Sequence, residues 1–328
     1  MTVDSFTSDE LLSTLLHADP WTAYRTRTDI LQEPGNCREV TEARNAVVEN
    51  PFVKELIKSL DPWFPQSITR HNSPLIPPHV LKLIADLGVR SDDAGMDTVI
   101  AQIEGHLDHN LHATRQTLPE KSFRPPSKTA EEWHALPCDS PEIASALHQM
   151  GHDSPILHKA TGEIAARWLS EEHWFCHFFF VEKQFKAHNA ACPMAGLMAL
   201  DLFSRTSFAE DSALVERCFH PIAFHKDLGK SLYYFGRSKK FWTFKFPFVW
   251  YNALYLADVL TRFPQLHSTP AVEELMDWIR GSRAEDGTWK ATSVFKPYKD
   301  IDFGQKKNPS AWITYLCLRI LKQRYCSS

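Results

Sequence analysis

The sequence predicts an all-α fold, about six helix pairs set as an inner and an outer ring in one α/α-toroid domain over residues 1–328. Three observations predict it. A proline that follows a short polar or turn-forming stretch and precedes an apolar, helix-competent run recurs at Asp19-Pro20-Trp21, Pro77-Pro78-His79, Ser140-Pro141-Glu142, Cys192-Pro193-Met194, Phe246-Pro247-Phe248 and Asn308-Pro309-Ser310. Proline fits the first turn of a helix, where its missing N–H would have no partner, and breaks a helix interior. The gaps between these prolines, 58, 63, 52, 54 and 62 residues, each hold two helices and two connections. Strand signals are scarce, and only YYFGRSKKFWTFKF reads as a small hairpin, near 233–244.

In chain order, SDELLSTLLH (8–17) reads as a capped helix with Ser8 before two acidic residues. Pro20 opens WTAYRTRTDILQ, and Val40 to Leu60 is apolar at helical intervals with a bend near Pro51. HVLKLIADLG stops at Gly88 and MDTVIAQIEGHL follows. Leu118 to Asp139 is a long Pro-rich connection, after which PEIASALHQMG and ILHKATGEIAARWL form the third pair. The fourth pair runs from Pro193 to about Ala223, and the fifth from Pro247 to about Ile279 with a break near Pro264. A loop around Asp286-Gly287-Thr288-Trp289 leads to a last helix from Ser310 to about Lys322. Stacked helix pairs form an open solenoid or a closed ring. The last helix carries no polar cap, which favours closure, because solenoids need polar terminal repeats.

The 36 basic and 40 acidic residues give a net charge of -4, so nucleic acid is not the expected partner. The N-terminal stretch is acidic and lacks a secretory pattern, no run approaches a membrane span, and seven irregularly spaced cysteines make a poor disulfide framework. A cytoplasmic protein with free thiols is the expectation.

The segment WIRGSRAEDGTWK, followed after about twenty residues by NPSAWITYLCLRIL, resembles the repeat of terpenoid cyclases and protein prenyltransferase β-subunits, through Asp286, Gly287 and Trp289. More narrowly, Trp174, Cys176, Cys192-Pro193, Trp250-Tyr251 and FGQKKNPS (303–310) resemble uncharacterised bacterial squalene-cyclase-like proteins. The resemblance implies an α/α-toroid with an apolar cavity for an isoprenoid or similar small molecule. The DxDD acid motif of class II cyclases is not present. Asp302-Phe303 resembles only part of the prenyltransferase zinc set.

Three constellations could carry chemistry. Cys138, Cys176 and Cys192 fall in connections before the third and fourth inner helices, and His71 and His177 in comparable connections. A closed ring would bring them to one mouth as a site for Zn or Fe, the alternative being buried structural cysteines. Trp174, Trp250, Tyr251, Trp312 and Tyr315 would wall an apolar substrate cavity or serve as core packing. Asp139 and Asp258 are the candidate proton donors, against readings as a helix cap and an exposed residue. The interleaved aromatic and basic residues of Tyr233–Lys245 suit a peripheral membrane contact. The leading reading is a lyase, isomerase or cyclase acting on an apolar substrate. A thiolate-metal enzyme and a non-catalytic lipid- or partner-binding toroid stand beside it.

Overall fold

The computed structural model describes residues 6–68, 72–117, 131–170, 192–227 and 235–326. Over these the chain is mainly helical, as the proline-led pattern predicts. It divides into two compact units: Met1–Lys54 with Leu87–Val89 and Gly236–Ser328, and Glu55–Asp86 with Arg90–Phe235.

Unit 1 begins with α1 (Asp9–Leu16), where the Ser8 hydroxyl accepts from Leu11 N at 3.2 Å, and continues with α2 (Pro20–Arg25). The last turn of α2 widens into a π-helical turn, Thr26–Ile30. Next comes α3 (Arg38–Glu49), and extended Asn50 separates it from α4 (Pro51–Lys58), of which this unit holds residues up to Lys54, so the bend near Pro51 is a full break. After Gly236 the unit adds α11 (Ala253–Leu260), α12 (Pro270–Gly281) and α13 (Ala311–Cys326). Pro247 does not open α11. That helix starts six residues later, behind Asn252, whose Oδ1 accepts from Tyr255 N at 2.9 Å and so caps it.

Unit 2 holds α5 (Pro77–Leu87) up to Asp86, then α6 (Met96–Leu107), α7 (Asp139–Gln149), α8 (Pro155–Leu169), α9 (Pro193–Phe203) and α10 (Ser212–Asp227). Its small hairpin pairs β1 (Thr114–Thr117) antiparallel with β2 (Glu131–His134), in the register Thr114 to His134. The alternating pattern near 233–244 does not become a hairpin over the described residues. From 235 onward they form turns, with Phe241 N and Trp242 N both bonded to Ser238 O, because the segment folds back on itself within three or four residues.

Two kinds of helix alternate. α7, α9 and α11 are buried on nearly every side, and Glu142, Ser145, Asp201 and Asp258 are buried with them. α6 and α12 bury one face each: Met96, Val99, Ile100, Ile103 and Leu107 in the first, Ala271, Val272, Leu275, Met276 and Ile279 in the second. Within unit 2, α9 lies against α7 and α10. Gly196 sets the α9–α10 approach, since a Cβ there would fall 2.4 Å from the Cys218 carbonyl oxygen.

The Asp286-Gly287-Thr288-Trp289 loop is a staple in unit 1. Asp286 Oδ1 accepts from Thr288 N at 3.0 Å and from Thr288 Oγ1 at 2.6 Å, and Gly287 takes a φ of 85°. Buried Trp289 then donates Nε1 to Ile279 O of α12 at 2.8 Å, and its own N–H is held by Thr314 Oγ1 of α13 at 3.0 Å. Asp302 caps α13: its Oδ2 accepts from Ser310 Oγ at 2.6 Å and from Trp312 N at 2.9 Å.

Candidate active site

In unit 2 the first turns of α5 and α7 meet. His79 Nδ1 lies 2.8 Å from the Ser73 carbonyl oxygen, and a carbonyl can only accept, so Nδ1 carries the proton of the neutral ring. Its Nε2 faces Glu142, 3.6 Å from Oε2. The Glu142 side chain is fully buried, and neither of its oxygens has a hydrogen-bond partner among the described residues. Burial first, and then the neighbouring Asp139 charge, push its carboxyl well above the usual range, outweighing the opposite pull of Lys82. Glu142 therefore keeps its proton at pH values where an ordinary glutamate has lost it. Asp139 is also buried, and the Cys138 thiol donates to its Oδ1 at 3.1 Å.

Farther along α5, α7 and α9 lies a polar network. The buried Lys82 ammonium sits 2.6 Å from Asp86 Oδ1 and 3.6 Å from Asp201 Oδ2. Gln149 Nε2 donates to Asp86 Oδ1 at 3.0 Å, while Arg205 reaches Asp201 Oδ1 at 3.0 Å and Ser145 Oγ at 2.9 Å. Both carboxylates are thus paired and hydrogen-bonded, as buried charges must be.

Unit 1 carries an independent network. Asp258, fully buried, accepts from Arg262 and, at 2.6 Å, from Arg319. Tyr315 donates its hydroxyl to Asp29 and accepts from Arg319 Nη1 at 2.9 Å. Burial resists ionisation of Asp29, but Arg25, Arg319 and the hydrogen bonds from Tyr315 and Thr28 prevail and hold its carboxyl below the usual range. Lys322 Nζ donates to the carbonyls of Asp29 and Ile30, both at 2.9 Å, which satisfies the end of the π-helical turn.

No family model, curated protein or solved structure matches the chain. Function then has to be read from the side chains themselves.

Of the expected residues, Asp139 lies at the α5–α7 junction, whereas Asp258 is engaged by two guanidinium groups. Trp312 is core, 5.2 Å from Phe246 and 4.9 Å from Tyr315, and Tyr315 belongs to the ionic network and not to an apolar wall. Trp250 and Tyr251 precede α11 in an irregular segment and are partly exposed, their rings 5.5 Å apart. Cys138 and Cys192 precede α7 and α9 as half-buried thiols outside any disulfide. Cys176, His71, His177 and Trp174 lie outside the described residues, as do Tyr233 and Tyr234. Among the described residues no group of three His, Cys, Asp or Glu side chains is placed to hold a metal ion.

The sequence pattern alone passes over Glu142 and His79, because each sits beside a proline and reads as part of a helix start. A signal is present, however. Each proline-led segment carries a polar pair four residues apart: Arg25/Asp29, Lys82/Asp86, Ser145/Gln149, Asp201/Arg205, Asp258/Arg262 and Tyr315/Arg319. Polar residues at that spacing on an otherwise apolar helix share one face and need partners inside.

Proposed function

We propose that the chain is an acid–base enzyme that moves a proton on an apolar small molecule, an isomerase, cyclase or lyase step, with Glu142 as the acid and His79 as the base. The observation that carries this reading is a fully buried glutamate, without a hydrogen-bond partner among the described residues, facing Nε2 of a histidine whose Nδ1 is fixed by a backbone carbonyl. A carboxylic acid kept protonated by burial and a neutral imidazole beside it are the two groups that a 1,3-proton shift needs. Glu142 gives its proton to one carbon of a double bond. His79 Nε2 then removes a proton from the carbon attached to the other end of that bond, and transfer from the imidazolium back to the carboxylate restores the pair with no net change in protons.

Asp139 raises the proton affinity of Glu142 and is a positioning residue here, which revises its expected role as donor. The apolar substrate class rests on the apolar composition of α5 and α9 away from His79, Lys82, Asp86 and Asp201. The unbridged thiols, Cys218 and Cys317 fully buried among them, suit a reducing cytoplasm. Among the described residues no helix is long and apolar enough to cross a membrane.

The test is turnover of a panel of prenyl alcohols and cyclic terpenoids in deuterated water by wild type, Glu142→Gln and His79→Asn. Deuterium should enter one carbon of the product with wild type, and both variants should lose about 100-fold or more in rate. Turnover by Glu142→Gln at the wild-type rate would end this reading.

A further inference from the structure

Two loops of unit 1 carry a charge opposite to that of the chain as a whole. Residues 236–251 contain Arg237, Lys239, Lys240 and Lys245 with no acidic residue. Residues 289–308 contain Lys290, Lys296, Lys299, Lys306 and Lys307, against Asp300 and Asp302, and Asp302 is turned inward to cap α13. The loops are joined to each other. Phe244 N donates to Thr292 Oγ1 at 3.0 Å, Thr292 N donates to Phe244 O at 2.9 Å, and Lys245 Nζ sits 3.5 Å above the Phe295 ring. Within the second loop, Lys290 Nζ reaches the Lys307 carbonyl at 3.4 Å, drawing its two ends together.

Apart from Lys245, these lysines are exposed, and among the described residues none of them has an ion-pair partner. Nine cations against two acidic residues on these loops repel one another, so a partner that brings negative charge is favoured at this face. Partly exposed Trp242, Trp250, Tyr251 and Phe295 lie on the same two loops.

We propose that the two loops form a docking face for an anionic lipid bilayer. Eight of the nine cations are lysine. Arginine, with its planar fork, is the residue suited to reading individual phosphates and nucleic acid, whereas lysine is a hydrated point charge that serves diffuse attraction to a charged surface. Tryptophan and tyrosine beside such charges match the headgroup layer, where amphipathic rings settle. The face widens the expected Tyr233–Lys245 contact by a loop about fifty residues downstream, which only the tertiary hydrogen bonds bring to it. The proposal is independent of Glu142 and His79.

Co-sedimentation of the full chain with phosphatidylcholine vesicles, with and without phosphatidylserine, tests it. Binding should require phosphatidylserine and weaken steeply with added salt, and Lys290→Glu/Lys306→Glu/Lys307→Glu should weaken it by about tenfold or more. Lys58→Glu, an exposed lysine on α4, should bind as wild type does. Equal binding to both vesicles, no effect of the triple variant when its melting profile is unchanged, or displacement from vesicles by a single-stranded oligonucleotide would overturn the proposal. Should the triple variant fail to fold, the lipid and salt dependence of the wild-type chain decides.

Discussion

His79 turns Nε2 toward Glu142, 3.6 Å from Oε2, because its Nδ1 is engaged by the Ser73 carbonyl. The geometry separates a stabilising role for Glu142 from a chemical one. A buried carboxyl with no hydrogen bond destabilises the fold, and an apolar replacement of similar shape removes that cost. Glu142→Met is expected to raise stability by about 1–3 kcal/mol at neutral pH in denaturant titrations while abolishing turnover. The carboxyl is raised in the folded state, so its unfavourable contribution grows as pH rises above the ordinary glutamate value of 4.5, and the gain in Glu142→Met should shrink below it. A loss of stability in this variant would make Glu142 a structural residue.

His148 governs the acid side of unit 2. Burial first, then the charges of His158 and Arg205, depress it from 6.5 to about 4, and its Nε2 lies 3.0 Å from Thr161 Oγ1. The unfolded chain takes up this proton before the folded one does. Stability is therefore full above pH 6.5 and falls as pH drops toward 4, by on the order of 1–2 kcal/mol once partial solvent exposure is allowed for. Melts of His148→Gln across that interval should show a shallower slope, and an unchanged slope would remove the assignment.

Tyr315 joins a carboxylate and a guanidinium in unit 1. Tyr315→Phe should cost about 1.5–3 kcal/mol, the range for a hydrogen bond to a charged group, and Arg319→Met about 3–5 kcal/mol, because Asp258 then loses one of its two guanidinium partners. Equilibrium unfolding in urea measures both. A cost under about half a kilocalorie per mole for either would show that the network is solvated.

Gly196→Ala places a methyl group 2.4 Å from the Cys218 carbonyl oxygen, against backbone that cannot step aside without moving α10. A loss of about 1–3 kcal/mol is expected, read as a lowered melting temperature.

Cys138 and Cys192 are each half-buried at the start of a helix. Elemental analysis of protein purified without added metal should give the same metal content for wild type and for Cys138→Ser/Cys192→Ser. Stoichiometric zinc or iron that disappears in the double variant would favour the thiolate-metal reading.

The helices, and the points where several of them start, are written in short stretches of sequence. Pro20, Pro77, Pro155, Pro193 and Pro270 each open one, and Ser8 caps another, because proline has no N–H to leave unpaired at a helix start and a serine oxygen accepts from one there. These are local rules, legible in a few consecutive residues. Pro247 escapes them, since the chain beyond it is held by Asn252 and by the Phe244–Thr292 hydrogen bonds, 48 residues apart. Which polar side chains meet is settled only when the chain is packed in three dimensions. Glu142 owes its raised proton affinity to desolvation and to charges that include those of α5 and α9, Asp258 owes its ion pairs partly to Arg319 at a separation of 61 residues, and the strand pair forms where no alternating pattern announces it. Desolvation and Coulomb forces depend on distance in space, which spacing along the chain does not encode.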